Sequence, residues 1–256
     1  MRVSLFALVS AAALGLAVPL APRAFAADPP APAADAATSI KALIAEIDAA
    51  EKEKDDTKAT AAVKKAPALY KSTQDQAVRG PLLKSLGGLV KQTKLESTRR
   101  AALAAIVETE DGKEGYKALQ GAYPKDDVED TARFNVEIVK AIGALHPDGA
   151  IDALVETFKK AKQNDLAAEA VASLGNYHKS KQRERVLEEI YKAGKNMIPS
   201  QGSGKNPSPE TRARWGVLGP AIGKALDTLT GDTVGDPTEW FKKIGDAKVV
   251  KTLFKD

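Results

Sequence analysis

Two histidines, His146 and His178, lie 32 residues apart, and the chain has no cysteine. Disulfides, thiolate metal sites and cysteine nucleophiles are thereby excluded. The two imidazoles with Asp148 could in principle hold zinc, which accepts nitrogen and oxygen ligands in a tetrahedral set. Neither histidine belongs to a HExxH or His-Glu pair, so both read as solvated turn residues. Gly202, Ser203, Gly204 and Lys205 suggest a phosphate loop, but that motif needs a longer spacer between its glycines and a Ser or Thr after the lysine. Asn206 follows instead, and the stretch reads as a flexible loop. No Gly-x-Ser-x-Gly elbow or dinucleotide fingerprint is present. The carboxylates Glu108, Glu110, Asp111, Asp126, Asp127, Glu129 and Asp130 fall at expected helix ends, where anions offset the macrodipole. The sequence therefore assigns no catalytic residue, cofactor or metal site, and reads as a protein that is not an enzyme.

Charge is more informative. Residues 57–107 carry Lys58, Lys64, Lys65, Lys71, Arg79, Lys84, Lys91, Lys94, Arg99 and Arg100 against only Asp75 and Glu96. The following stretch, 108–137, reverses sign. Lys84 and Lys91 are seven residues apart and so share a helix face, while Arg99 and Arg100 open the next helix, where cations oppose the dipole. These four are the candidate binding residues. Converging, they would attract a polyanion such as an acidic polysaccharide, anionic lipid or nucleic acid by Coulomb interaction and counterion release. The competing reading is a lysine-rich helical surface that is merely well solvated.

The elements that must position these side chains are helices. Phe134, Ile138, Ala141 and Leu145 keep a helical period, and Ile151, Leu154, Val155 and Phe158 resume it after the break at His146, Pro147, Asp148 and Gly149. Leu166, Ala167, Ala170, Val171 and Leu174 mark a third helix, and Val186, Leu187, Ile190 and Tyr191 a fourth. Single apolar stripes in succession must bury against one another. Upstream, Ile40, Leu43, Ile44 and Ile47 form a first stripe, running into a solvated charged end at residues 51–56. A weaker helix is expected over 57–70, interrupted by Pro67, with further helices near 75–93 and 97–108. After a long loop at 195–208, Ser208 and Pro209 predict a capped start. Trp215, Leu218, Ile222, Leu226 and Leu229 then form the longest clean stripe, closed by Gly231. Asp236, Pro237 and Glu239 predict a second start with a capping box, followed by Trp240, Phe241 and Ile244. No sustained alternating run of β-branched residues argues for strands. The fold class expected is all-α.

The units resemble one another. Asp111-Gly112 and Asp148-Gly149 are 37 residues apart, and Leu154 and Val186 are 32 apart, just under the roughly 40 to 47 residues of helical-pair repeats. Helix ends share a small residue, a bulky aliphatic and glycine: Ser85-Leu86-Gly87, Ala141-Ile142-Gly143 and Ser173-Leu174-Gly175. On these residues the chain resembles the HEAT-repeat family. Asp75, Gln76, Ala77, Val78 and Arg79, followed by Leu82, Leu83, Leu86 and Gly87, are similar to its commonest helix pattern. The helix of Leu174 lacks the pattern's Asp and Arg. The resemblance covers most of residues 57–245 and implies a right-handed α-solenoid of stacked antiparallel helix pairs. It also implies Asp-Arg contacts that would occupy Arg79 or Arg100. The stretch from Leu226 through Gly231, Asp236 and Trp240 resembles the closing unit of exported bacterial HEAT-repeat proteins, with Trp240 and Phe241 covering the last apolar face. Di-iron hydroxylases on the same repeat carry His-Glu pairs that this chain lacks, and no residue here supports a chromophore-lyase-like role.

Residues 1–26 read as a signal peptide: Met1-Arg2, an uncharged run to Leu20, then Ala24 and Ala26 at the cleavage subsites, so the mature chain should start at Ala27. Ser4, Ser10, Gly15 and Pro19 argue against a retained anchor. No membrane span is expected after cleavage. Loss of Arg2 and Arg23 takes the formal charge from +4 to +2. Residues 27–38, rich in Pro and Ala, read as a linker, and 39–256 as the HEAT-like repeat domain. The expected protein is a periplasmic or secreted, non-enzymatic scaffold that binds another protein, with polyanion binding through 57–107 as the alternative.

Overall fold

Ala36, Ile40, Leu43, Ile47 and Ala50 lie on one stripe and are all buried, which draws the first helix, α1 (Ala33–Glu53), onto the rest of the chain. The computed structural model describes residues 33–123, 132–199 and 207–245, all within one unit, Ala31–Asp256. The expected signal peptide at residues 1–26, residues 27–32 of the expected linker, the acidic positions 126–130 and Gly202, Ser203, Gly204 and Lys205 lie outside these residues. Every regular element described is helical, and no strand occurs among the described residues.

The order is α1, α2 (Asp56–Val63), α3 (Ala66–Lys71), α4 (Gln76–Gln92), α5 (Glu96–Glu108), α6 (Gly112–Gln120), α7 (Ala132–Leu145), α8 (Ile151–Lys160), α9 (Asn164–Gly175), α10 (Arg183–Lys195), α11 (Pro209–Thr230) and α12 (Pro237–Gly245). Short 3-10 turns at Asp148–Ala150 and Asn176–Lys179 lead into α8 and out of α9. α1 packs on α2, α4 on α5, α8 on α9 and α11 on α12, and longer rows of contacts run beside these pairs. α2, α5, α7, α9 and α11 touch in succession, as do α1, α4 and α6, and then α8, α10 and α12. The predicted stripes supply the shared core: Leu86, Ile106, Ile138, Leu154, Leu174, Leu187, Ile222 and Leu226 are fully buried.

Glycine explains how closely these helices approach. A Cβ on Gly143 of α7 would lie 2.9 Å from Ser173 Cα of α9, and one on Gly175 would lie 3.1 Å from Ala225 Cα of α11. One on Gly87 of α4 would lie 3.0 Å from the Ala118 carbonyl carbon of α6. The recurring glycine is thus where the next helix but one presses against the backbone; Gly87, expected at a helix end, lies inside α4, which continues to Gln92.

Polar contacts repeat at the same interval. Tyr177 Oη donates to Pro147 O (2.8 Å), Asn176 Nδ2 to Gly143 O (3.0 Å) and Ser173 Oγ to Val139 O (3.2 Å). Tyr70 Oη donates to Asp111 Oδ2 (2.7 Å), and the Thr98 amide to Asp56 Oδ1 (2.8 Å). These partners stand between 30 and 42 residues apart. Unpaired buried polar groups are costly, so each bond fixes the register of one unit on the next.

Four local expectations are corrected. α1 begins at Ala33, not at 39, because Ala and Asp35 make a good first turn once Pro32 is passed. Residues 51–56 are not merely a solvated end. Lys54 turns the chain with φ +56°, Asp55 caps α2 by accepting from the Lys58 amide, and Asp56 anchors α5. Pro67 starts α3 rather than interrupting a helix, as expected of a residue with no amide to donate. At α12 the capping box is one-sided: Asp236 accepts from the Thr238 amide, but its own amide donates to Val234 O and Glu239 pairs with Lys242.

Leu174 and Leu226 have no exposed surface. Replacing either with Ala should cost about 2 to 5 kcal/mol in urea unfolding. The Asp56 carboxyl is held at about 2, below its ordinary 3.8, chiefly by the Thr98 hydroxyl, with burial opposing and the Ser97 and Thr98 groups adding to it. A depressed folded-state value means its contribution is fully present above 3.8 and lost as pH falls through about 2. Asp56→Asn should therefore lower stability at neutral pH, with wild type and variant converging across that acid window in denaturant titrations.

Candidate functional site

The four sequence-derived binding residues are divided by the fold. Lys84 and Lys91 of α4 are exposed and make no ion pair among the described residues. Arg99 is turned inward. Its guanidinium lies 3.8 Å from the Phe134 ring centroid, its Nε donates to Val90 O at 2.8 Å, and burial pulls its pKa down, opposed by Glu137. Arg100 bridges Glu96 (2.8 Å) and Glu137 (3.3 Å), joining α5 to α7. Arg79 meets Asp111 at 3.2 Å and covers the Tyr70 ring at 4.7 Å. Burial pushes Asp111 up, but the Glu114 amide, the Tyr70 hydroxyl and the charges of Arg79 and Lys113 outweigh it, so its carboxyl lies below the usual value. Lys58, Lys65 and Lys71 pair with Glu53, Glu46 and Glu110. Lys58, Lys65, Lys71, Arg79 and Arg100 of the basic stretch are thus paired with carboxylates, while Lys64, Lys84, Lys91 and Lys94 make no ion pair among the described residues.

Of the lysines of this stretch left without an ion pair among the described residues, Lys84 and Lys91 line a groove of about 490 Å³ between α4 and α6, while Lys64 and Lys94 lie exposed outside it. Lys84, Lys91 and Lys117 line it with Leu83, Ala118 and four glycines, Gly80, Gly87, Gly88 and Gly121. Lys117 is held by Glu114 at 2.8 Å. Sequence reasoning found two of these lysines but missed Lys117, because the α4–α6 contact spans a helix and two turns.

A larger groove, about 870 Å³, crosses α7, α9 and α11. Val136, Ala168, Ala172, Val217 and Ala221 form its apolar surface, with Arg133, Asn164, Asp165 and Glu169 among the polar groups. Val217 is the large hydrophobic residue left exposed among the described residues, at 39%. Glu169 is half-buried there, and burial raises its pKa, with Lys140, Ser173 and Lys224 pulling it back. No sequence signal marked this surface, since Val217 lies one position from buried Leu218 and off the main stripe.

A third recess, about 610 Å³, lies beside the α7–α8 turn and is lined by Tyr116, Lys117, His146, Pro147, Asp148 and others. His146 is exposed in a left-handed turn, φ +36°, and its ring stands edge-on to Tyr177. Asp148 accepts from Ser180 Oγ at 2.7 Å. His178, expected in water, is half-buried, with Nδ1 enclosed and without a hydrogen-bond partner. No cluster of three or more His, Asp or Glu able to hold a metal occurs among the described residues. Nor is any described helix long and apolar enough to cross a membrane.

Trp240 is fully buried, donates from Nε1 to Asp227 Oδ1 at 2.7 Å, and is covered by the Lys243 ammonium at 4.8 Å. Asp227 also accepts from the Val234 and Gly235 amides, locking the α11–α12 turn. With Phe241 buried beside it, this pair packs the end of the helical array. Comparison with protein-family models, with curated proteins and with solved structures finds no match to this chain.

Proposed function

We propose that this chain is an exported, non-enzymatic scaffold of HEAT-like helical repeats that holds another protein. Supporting the repeat reading are the successive contacts of α2, α5, α7, α9 and α11, and polar bonds between residues 30 to 42 apart. A right-handed solenoid of antiparallel helix pairs accommodates both, and such arrays bind partners along the surface that one row of helices presents.

The observation that carries the binding reading is the α7–α9–α11 groove. Its alanines keep the surface shallow, Val217 offers an exposed apolar anchor, and charged groups lie along it. An amphipathic partner helix lays an apolar face on such a surface and keeps its polar face in water. Fixed charges of both signs, Arg133 against Asp165 and Glu169, would set its direction. The polyanion alternative is favoured by one observation, that Lys84 and Lys91 make no ion pair among the described residues. It loses Arg99 and Arg100 to internal contacts.

Protein purified from the exported fraction should begin at Ala27 by intact mass; a chain retaining Met1 would sink the export reading. From that fraction, immobilised wild type should retain a partner that Val217→Asp loses, because a carboxylate on the apolar surface must be desolvated. Circular dichroism of the variant should be unchanged, since Val217 is exposed. Equal retention by both proteins would remove this groove as the binding face.

A further inference from the structure

The α4–α6 groove has features that the larger groove does not explain. The close approach of α4 to α6 accounts for Gly87, but a Cβ at Gly80 or Gly88 would meet nothing within 4 Å. Both are helix-interior glycines, which weaken a helix relative to alanine. Here their effect is to leave bare backbone along a recess whose rim carries Lys84, Lys91 and Lys117 against one carboxylate, Glu114. Lys84 and Lys91 have no anionic partner among the described residues, as is true of the exposed Lys64 and Lys94, but of these four only Lys84 and Lys91 line the recess; Lys58, Lys65, Lys71, Arg79 and Arg100 are paired.

We infer that the α4–α6 groove is a docking site for an extended acidic segment of a partner protein, its backbone lying over the glycines and its carboxylates meeting Lys84 and Lys91. The site belongs to a different row of helices from α7, α9 and α11 and does not depend on that groove being occupied. Its lining selects among anions. No aromatic side chain lines it, so neither nucleobases nor sugar rings find the stacking surfaces that favour them. No arginine lines it either, and the paired donors that suit phosphate are absent. Single ammonium charges over a narrow recess fit separate carboxylates on a slender chain. Seven helical residues separate the two lysines by about 10 Å along the axis. An extended chain rising about 3.3 Å per residue reaches both with acids about three positions apart.

The test uses the mature full-length protein and a fluorescein-labelled oligoglutamate, followed by anisotropy. Binding should weaken as salt rises through the screening range. Lys84→Glu combined with Lys91→Glu should weaken it by about tenfold or more, as expected when several modest charge contacts are reversed together. Gly88→Leu fills the open space while improving helix propensity, so it should weaken binding comparably and melt no lower than wild type. Val217→Asp should leave oligoglutamate affinity unchanged, which separates failure of this site from failure of the larger one. Absence of binding at low salt overturns the inference, as does full affinity in Gly88→Leu, which would reduce the groove to a diffuse charge patch. Tighter binding of heparin or single-stranded DNA than of oligoglutamate at the same lysines would overturn it in favour of a general polyanion site. Should the double reversal fail to fold, Gly88→Leu decides alone.

Discussion

The close approach of one helix to another at glycines is the contact on which the rest of this structure rests. Gly87 lies against Ala118, Gly143 against Ser173 and Gly175 against Ala225, each too close to admit a methyl group without displacement. Such spacing suits a core made of Leu, Ile, Val and Ala, since aromatics are only 5% of the sequence. Short aliphatic side chains fill the space between helices at close separation, where larger rings would hold the helices apart. The exceptions are informative. Tyr70 and Tyr177 are fully buried, but each spends its hydroxyl on a fixed acceptor in a neighbouring unit, Asp111 or Pro147.

Once the helices are spaced this way, polar and charged groups far apart in sequence meet and decide register. Asp56 with Thr98, Tyr70 and Arg79 with Asp111, and Arg100 with Glu137 each link one unit to a later one. The charge asymmetry that stands out along the chain is partly offset in space, where Lys65, Lys71, Arg79 and Arg100 meet carboxylates of other elements. Exposed ion pairs of this kind contribute little stability individually. Arg79, Arg99 and Arg100 are occupied by internal contacts, while Lys84 and Lys91 on the α4–α6 groove stay unpaired among the described residues.

The two grooves differ in the way that recognition of two kinds of segment requires. One is broad, lined by alanine and valine, and crosses three helices. The other is narrow, floored by glycine and rimmed by lysine. The first suits burial of an apolar face, whose gain scales with area removed from water. The second suits long-range attraction of an acidic chain, which acts more on encounter and orientation than on final affinity. A scaffold holding a partner at both would gain from the high effective concentration of the second contact once the first has formed.

Much of the secondary structure was legible in the sequence because helical stripes, caps and breakers act locally. The helices carrying Leu154, Leu174, Leu187 and Leu226 stand where the apolar period puts them, and Ser208, Asp111 and Gly231 close helix ends as their chemistry demands. The resemblance of helix ends such as Ala141-Ile142-Gly143 and Ser173-Leu174-Gly175 also reflected a real constraint, the close approach of the next helix but one. What the sequence could not determine was which charges cancel. Arg99 reads as an exposed first-turn cation until α7 brings Phe134 beneath it, and Lys117 reads as an ordinary surface lysine until α4 places two others across the groove. Local pattern is written in residues three and four apart. Arg79 and Arg100 reach Asp111 and Glu137, 32 and 37 residues away, where only the stacking of whole helices decides the pairing.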